Sequence, residues 1–305
     1  MSNIIEVRNL TKKYGDFTAV DHISFDVHAG EVFGILGPNG AGKTTTLEMI
    51  EGLKSITSGT AVIDNKDVSR QAHAVKHIIG VQLQASSFFE GLNLIELLNT
   101  FASLYDRKVN AMDLLRMVQL EEKAKSQVKE LSGGQKQRMS IAVALVNDPK
   151  IIFLDEPTTG LDPQARRNLW DLVQQINRDG KTVVITTHYM DEAEVLCDRI
   201  AIMDHAKIVA MDNTENLLKL PGLNSSVNFK SHIAIPKERL ETLQGVTSLE
   251  NGKDNYKLIT VDPERTLTSL FALSKVINFQ LLDLQLRQPT LEDVFLKLTG
   301  HALRD

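Results

Sequence analysis

Eight consecutive residues, Gly37-Pro38-Asn39-Gly40-Ala41-Gly42-Lys43-Thr44, fit the pattern G-x-x-x-x-G-K-[ST]. Glycines of this spacing let backbone N–H groups turn inward on phosphate oxygens. Lys43 supplies positive charge to the β- and γ-phosphates, and the Thr44 hydroxyl can ligate Mg²⁺. Two carboxylates, Asp155 and Glu156, end the apolar run Ile151-Ile152-Phe153-Leu154. An acid pair at the carboxyl end of a buried parallel strand is placed to hold a metal through Asp155 and to orient or deprotonate a water through Glu156. His188 ends a second such run, Thr182 to Thr187, and is placed for a γ-phosphate contact. Ser132, in Leu131-Ser132-Gly133-Gly134-Gln135, can cap a helix whose free N–H groups form a second anion site.

The elements around these residues agree with that chemistry. Glu31 to Leu36 reads as a short buried strand and Thr45 to Ile50 as the helix that follows the glycine loop. Before them, Ile4–Leu10 and Ala19–Val27 read as strands separated by the turn signals Tyr14-Gly15-Asp16 and His28-Ala29-Gly30. Tyr14 beside the first turn has two readings, an aromatic face for adenine or a residue that packs the turn. Residues 60–80 give a strand and a helix, ending in Ile78-Ile79-Gly80-Val81-Gln82-Leu83-Gln84. Residues 92–127 carry apolar positions at a 3–4 period, which predicts a helical insertion of about 86–147 in an α/β domain. A helix is expected from Gln137 to Val146, and strands at 199–204 and 207–210 complete a first domain over 1–218.

The remaining chain has a different pattern. Leu220-Pro221-Gly222-Leu223-Asn224-Ser225-Ser226 reads as a linker. Over 226–305, strands at 226–235, 246–251, 256–261 and 279–288 alternate with helices at 236–243 and 263–276. The order β-α-β-β-α-β predicts a small ferredoxin-like α+β domain, followed by a helix capped by Thr290 and Asp293. No acid pair, glycine loop or metal spacing occurs there.

Composition narrows the class. The chain has 305 residues, 42% apolar and 24% charged, enough for two packed domains. The net charge of −5 argues against nucleic acid as the main ligand. Cys197 is the only cysteine, which excludes an internal disulfide and reads as a small buried hydrophobe of a reducing compartment. No apolar run reaches the length of a membrane span and the N-terminus lacks a signal-peptide pattern, so membrane work requires docking onto another subunit.

The order of glycine loop, Gln84, Leu131 to Gln135, acid strand and His188 resembles the nucleotide-binding subunit of ABC transporters over about residues 3–215. The resemblance implies a P-loop NTPase core of ABC type, with an antiparallel β subdomain and a helical subdomain. It implies that Gly37, Pro38, Asn39, Gly40, Ala41, Gly42, Lys43, Thr44 and Thr45 bind the phosphates of ATP while Tyr14 stacks on adenine. Gln84 is then the residue that senses Mg²⁺ and the attacking water, chosen over Gln82 because it directly precedes the helical insertion. Asp155 and Thr44 hold Mg²⁺, Glu156 is the catalytic glutamate, and His188 is the switch histidine. Gly160-Leu161-Asp162 matches the segment that carries Asp162 to the dimer. Ser132, Gly133, Gly134 and Gln135 of one subunit close over ATP on the other, in a head-to-tail pair, expected to be a homodimer. The partner is a transmembrane permease, met near Phe88, Phe89 and Leu92, so the chain is expected to be cytoplasmic and peripheral on the inner face of the membrane. The stretch Gln288 to Gly300 is similar to the tail of exporter ATPases of bacterial drug and antibiotic efflux. Import of a solute is the alternative.

Overall fold

The near-continuous apolar runs become strands buried on both faces, as parallel strands covered by helices must be. The computed structural model describes residues 2–83, 88–89, 91–251 and 255–301. In chain order the first half runs β1 (Asn3–Tyr14), β2 (Phe17–His28), β3 (Val32–Leu36), α1 (Lys43–Ile50), β4 (Ser58–Ile63), β5 (Lys66–Asp67), α2 (Ala72–Lys76), β6 (Ile79–Gln82), α3 (Leu94–Ser103), α4 (Ala111–Met117) and α5 (Gly133–Ala144). It continues with β7 (Ile151–Asp155), α6 (Pro163–Arg178), β8 (Thr182–Thr187), α7 (Met190–Leu196), β9 (Arg199–Asp204), β10 (Lys207–Asp212) and α8 (Thr214–Leu218). The last part holds β11 (Ser225–Lys230), α9 (Lys237–Glu241), β12 (Val246–Asn251), β13 (Asn255–Thr260), α10 (Pro263–Val276), β14 (Leu282–Arg287) and α11 (Leu291–Thr299).

The chain divides into two units, residues 1–214 with 298–305 and residues 215–297. The division falls a few residues before the expected 218, and the described tail from Leu298 to His301 groups with the first unit. In that unit a six-stranded sheet has the order β10-β9-β3-β8-β7-β6, and a second, antiparallel sheet has the order β2-β1-β4-β5. Strands β9, β3, β8, β7 and β6 are parallel, so their carboxyl ends meet at one edge. One apolar core lies between the sheets and takes in Leu47, Met49 and Ile50 of α1, with Phe25 stacked on Phe33 at 5.3 Å. Helices α3, α4 and α5 pack on one another as the helical layer.

Two local differences from the expected elements have physical causes. Helix α5 starts at Gly133 and not at Gln137, because Ser132 and Gln135 form a reciprocal capping box that satisfies the first orphan N–H groups. Strand β11 stops at Lys230 and not near 235, because the Ser231 hydroxyl turns the chain by bonding Ile233 at both backbone groups.

The second unit has the element order β-α-β-β-α-β and an antiparallel sheet of order β12-β13-β11-β14. Its core is built on Val227, Phe229, Tyr256, Leu258 and Leu270, under stacked Phe229, Tyr256 and Phe279 rings. At the start of α11, Asp293 Oδ2 accepts from the Thr290 backbone N–H and hydroxyl, while Leu291, Val294 and Phe295 are fully buried.

Candidate active site: a phosphate loop among buried charges

The loop between β3 and α1 is held against its neighbours at two glycines. A Cβ on Gly37 would come within 2.2 Å of the Met203 carbonyl oxygen, and one on Gly42 within 2.4 Å of that of Ala19. Gly42 also has φ of 103°, which an L side chain rarely adopts. These contacts fix where the loop starts and where α1 begins. A cavity of about 300 Å³ opens above it, lined by Phe17, Ala19, Asn39, Gly40, Gly42, Lys43, Thr44, Thr45 and Glu156. Gly37, Pro38 and Ala41 are not among its lining residues. They shape the turn from beneath, with the Ala41 N–H bonding the Pro38 carbonyl at 3.2 Å.

Lys43 is only 4% exposed. Its ammonium donates to the carbonyls of Gly37 at 2.9 Å and Pro38 at 3.1 Å, and stands 3.1 Å from Glu156 Oε1. Asp155 lies at the end of β7, in register with Thr186 on β8. Its Oδ1 accepts from the hydroxyls of Thr186 at 2.5 Å and Thr44 at 3.2 Å. Burial raises its pKa, against the pull of those two hydroxyls. Thr44 and Asp155 thus already converge as two hard oxygen donors, which suits Mg²⁺. Gln84, the third expected donor, lies outside the described residues.

Glu156 leaves β7 with φ of 46°, a left-handed conformation that is strained for a residue with a side chain. The Thr186 carbonyl and hydroxyl hold its N–H at 3.2 and 3.0 Å. Oε2 accepts from the Thr159 hydroxyl at 3.3 Å and lies 3.3 Å from His188 Nδ1. Burial works to raise the Glu156 pKa, but Lys43 and then His188 outweigh it and hold the carboxyl below the usual range. Glu156 therefore stays an acceptor at neutral pH.

The fold brings Lys43, Thr44, Thr45, Asp155, Glu156 and His188 to one edge and keeps another set apart. Ser132, Gly133, Gly134 and Gln135 line a separate cavity of about 210 Å³ with Gly160, Leu161 and Asp162. There the Asp162 side chain caps α6 by accepting from the Ala165 N–H at 2.9 Å. Gly134 allows α5 to approach α6, since a Cβ on it would lie 3.2 Å from Ala165 Cβ.

Tyr14 does not line the nucleotide-sized cavity. Lys12 Nζ lies 5.0 Å and Lys54 Nζ 6.0 Å from its ring centroid. Its cross-strand partner Phe17, 64% exposed, takes the place at the rim. Phe17 and Thr186 are the residues that sequence reasoning missed. The hairpin register across Gly15-Asp16 and the two threonines before His188 were the available signals. Gln82, the alternative to Gln84, is buried in β6 with Nε2 on the Leu83 carbonyl. Cys197 is buried, with Sγ 2.6 Å from where a Gly34 Cβ would stand, and burial pushes its thiol pKa well up. It is a packing residue.

An anion-binding loop at the carboxyl edge of a parallel sheet, faced by buried acids, defines a P-loop ATPase. The sequence pattern of the ABC transporter family matches residues 20–159. The linearmycin resistance ATP-binding protein LnrL of Bacillus subtilis (strain 168) is 35% identical, covering 99% of this chain and all of that one. The Nod factor export ATP-binding protein I of Burkholderia orbicola (strain AU 1054) is 37% identical, covering 99% and 98%. Among solved structures, a dimeric ATP-binding cassette in a post-hydrolysis state with ADP and Pi is 30% identical, with a TM-score of 0.63 over 68% of this chain and 98% of that one. The chain belongs to the ABC transporter ATP-binding family and is the ATPase subunit of a transporter.

Proposed function

We propose that this chain powers export of a drug, antibiotic or lipid-like compound through a separate membrane permease, as two copies closing head to tail. The observation that carries the two-copy reading is the separation of the cavities: the phosphate loop and the Ser132–Gln135 helix start line different sets of residues within one chain. In the closed pair, Ser132, Gly133, Gly134 and Gln135 of one copy cover ATP held by Gly37 to Thr45 of the other, with Asp162 beside them. Among the described residues no helix is long and apolar enough to cross a membrane, which fits a subunit held at the inner face of the cell membrane by its permease. Support for the permease contact comes from an apolar cavity of about 310 Å³ lined by Leu53, Val81, Leu83, Phe101 and Tyr105. Exposed Phe89 lies nearby, its ring 6.5 Å from that of Phe101. Support for export comes from relatives named for resistance and export that are similar along both units.

Hydrolysis then rests on positioning and charge. Lys43 leaves its carbonyl partners for the β- and γ-phosphates. Thr44, Asp155 and Gln84 would hold Mg²⁺, which neutralises developing phosphate charge when bound. Glu156 accepts the proton of the attacking water, and His188 steadies both Glu156 and the γ-phosphate. Tyr14 is the proposed base-stacking face, with Phe17 as its neighbour at the rim.

The test uses the chain assembled with its permease in inside-out vesicles. An exported amphipathic compound should raise phosphate release and accumulate in the lumen with ATP outside. ATP-driven loss of the compound from the lumen would reverse the assigned direction.

A further inference from the structure

Asp204 closes β9, His205 opens the turn into β10, and His301 follows α11 in the tail that groups with the first unit. Asp204 Oδ2 lies 3.3 Å from His301 Nε2 and 3.8 Å from His205 Nε2. One ligand atom from each of the three falls within 4.8 Å of the others. Ligand atoms bound tetrahedrally to zinc at about 2.0–2.1 Å stand roughly 3.3–3.4 Å apart, so one edge of the triangle already has that length. The His205 side chain is 87% exposed and free to rotate the small distance the other edges need. The Asp204 carboxylate is buried. The turn also favours the arrangement. His205 and Ala206 have φ of 44° and 66°, a strained pair for residues other than glycine and asparagine, and they fold the chain back so that His205 faces Asp204.

We propose that Asp204, His205 and His301 bind a divalent first-row transition-metal ion, with Zn²⁺ the ion that best fits and water in the fourth position. Two imidazoles and one carboxylate suit zinc, whereas Mg²⁺ and Ca²⁺ prefer all-oxygen sets. The site is therefore chemically distinct from the Thr44 and Asp155 pair. It ties the tail after α11 to the β9–β10 turn. That turn is not remote from the ATP site: Met203, one residue before Asp204, presses its carbonyl against Gly37 at the foot of the phosphate loop, and the Ala206 carbonyl accepts from the Asp21 N–H at 2.8 Å. The bound ion would stiffen the strand on which the loop rests.

The experiment takes the full chain, stripped by chelator, without nucleotide and in excess Mg²⁺, and titrates it with ZnCl₂ by calorimetry. One zinc per chain is expected, with a raised thermal midpoint. His301→Ala and His205→Ala should each weaken zinc binding by about tenfold or more, as loss of a ligand does, and abolish the thermal shift. Both side chains are at least partly exposed, so both variants should fold. Equal zinc affinity and stoichiometry in the wild type and the His205→Ala/His301→Ala double variant, for instance through the neighbouring His73 and His77 rings, would overturn the site.

Discussion

At Lys43 a helix begins among buried charges, and at Gly133 another begins at an exposed surface. Lys43 is 4% exposed, Asp155 4% and Glu156 8%; burial pushes the Asp155 pKa up, while against burial Lys43 and His188 hold that of Glu156 down. Around Gly133 the cap is self-contained: Ser132 and Gln135 satisfy each other, and Asp162 is occupied with the start of α6. The first cavity thus holds the groups that can do chemistry. The second offers oriented N–H groups beside the side chains of Arg138, Asp162 and Asn168, with none of the buried acids of the first. Desolvated charges are costly to assemble and act strongly, and at the phosphate loop the fold sets Lys43 directly against Glu156, one residue from Asp155. An exposed helix start is suited to close on a phosphate carried by another molecule.

The strongest way to break this contrast is to remove the group assigned to accept the water's proton. Glu156→Gln keeps the shape and loses the base. Turnover of the permease complex should fall by about 10²–10⁴-fold, while ATP affinity changes little and dimers persist with ATP in size-exclusion chromatography. Turnover within a few-fold of the wild type would show that the buried cavity is not where hydrolysis is decided.

The contrast also predicts complementation. Lys43→Ala disables the charged cavity, and Ser132→Arg blocks the exposed one. Each variant alone should be nearly inactive as a homodimer. If the cavities act across two copies, a mixture forms heterodimers with one intact composite site, and phosphate release should reappear at a fraction of the wild-type rate. No recovery in a mixture shown to exchange subunits would mean that both cavities are needed within one chain.

What could be read beforehand follows the same division. Lys43, Asp155, Glu156 and His188 were legible because each ends or follows a short apolar run, and parallel strands deliver such ends to one edge. Thr186 was not, because its role comes from lateral register with Asp155, which no single run encodes. Phe17 was hidden for a similar reason: the hairpin turn pairs it with Tyr14, and only that pairing brings it to the cavity rim. The helix start at Ser132 was visible as a cap, but its extent was not, because the glycines at 133 and 134 disfavour a helix interior on propensity alone. There the capping box and the packing against Ala165 override that preference. The tail after α11 joins the first unit through contacts far away in sequence, which local composition does not reveal.

The smallest effect sharpens the contrast from the far end of α1. Glu51, at the carboxyl end of α1, is 2% exposed, and among the described residues its Oε2 has no hydrogen-bond partner. Burial, followed by the charges of Asp155 and Glu48, raises its pKa from 4.5 to about 8. Between those values the folded chain keeps a proton that the unfolded chain releases. Stability should therefore fall as pH rises through that window, by about 1.4 kcal/mol per unit, and level off above it. Trp170, the only tryptophan, lies in α6 and reports unfolding of the first unit alone. Urea titrations at pH 5 to 8, without nucleotide, should show this slope in the wild type and a flatter profile in Glu51→Gln. Asp155→Asn should move the window downward, because it removes the charge that helps keep Glu51 protonated. An unchanged slope in Glu51→Gln would place the linked proton elsewhere, and Glu51 would then be a carboxylate that the charged half of the molecule tolerates without neutralising.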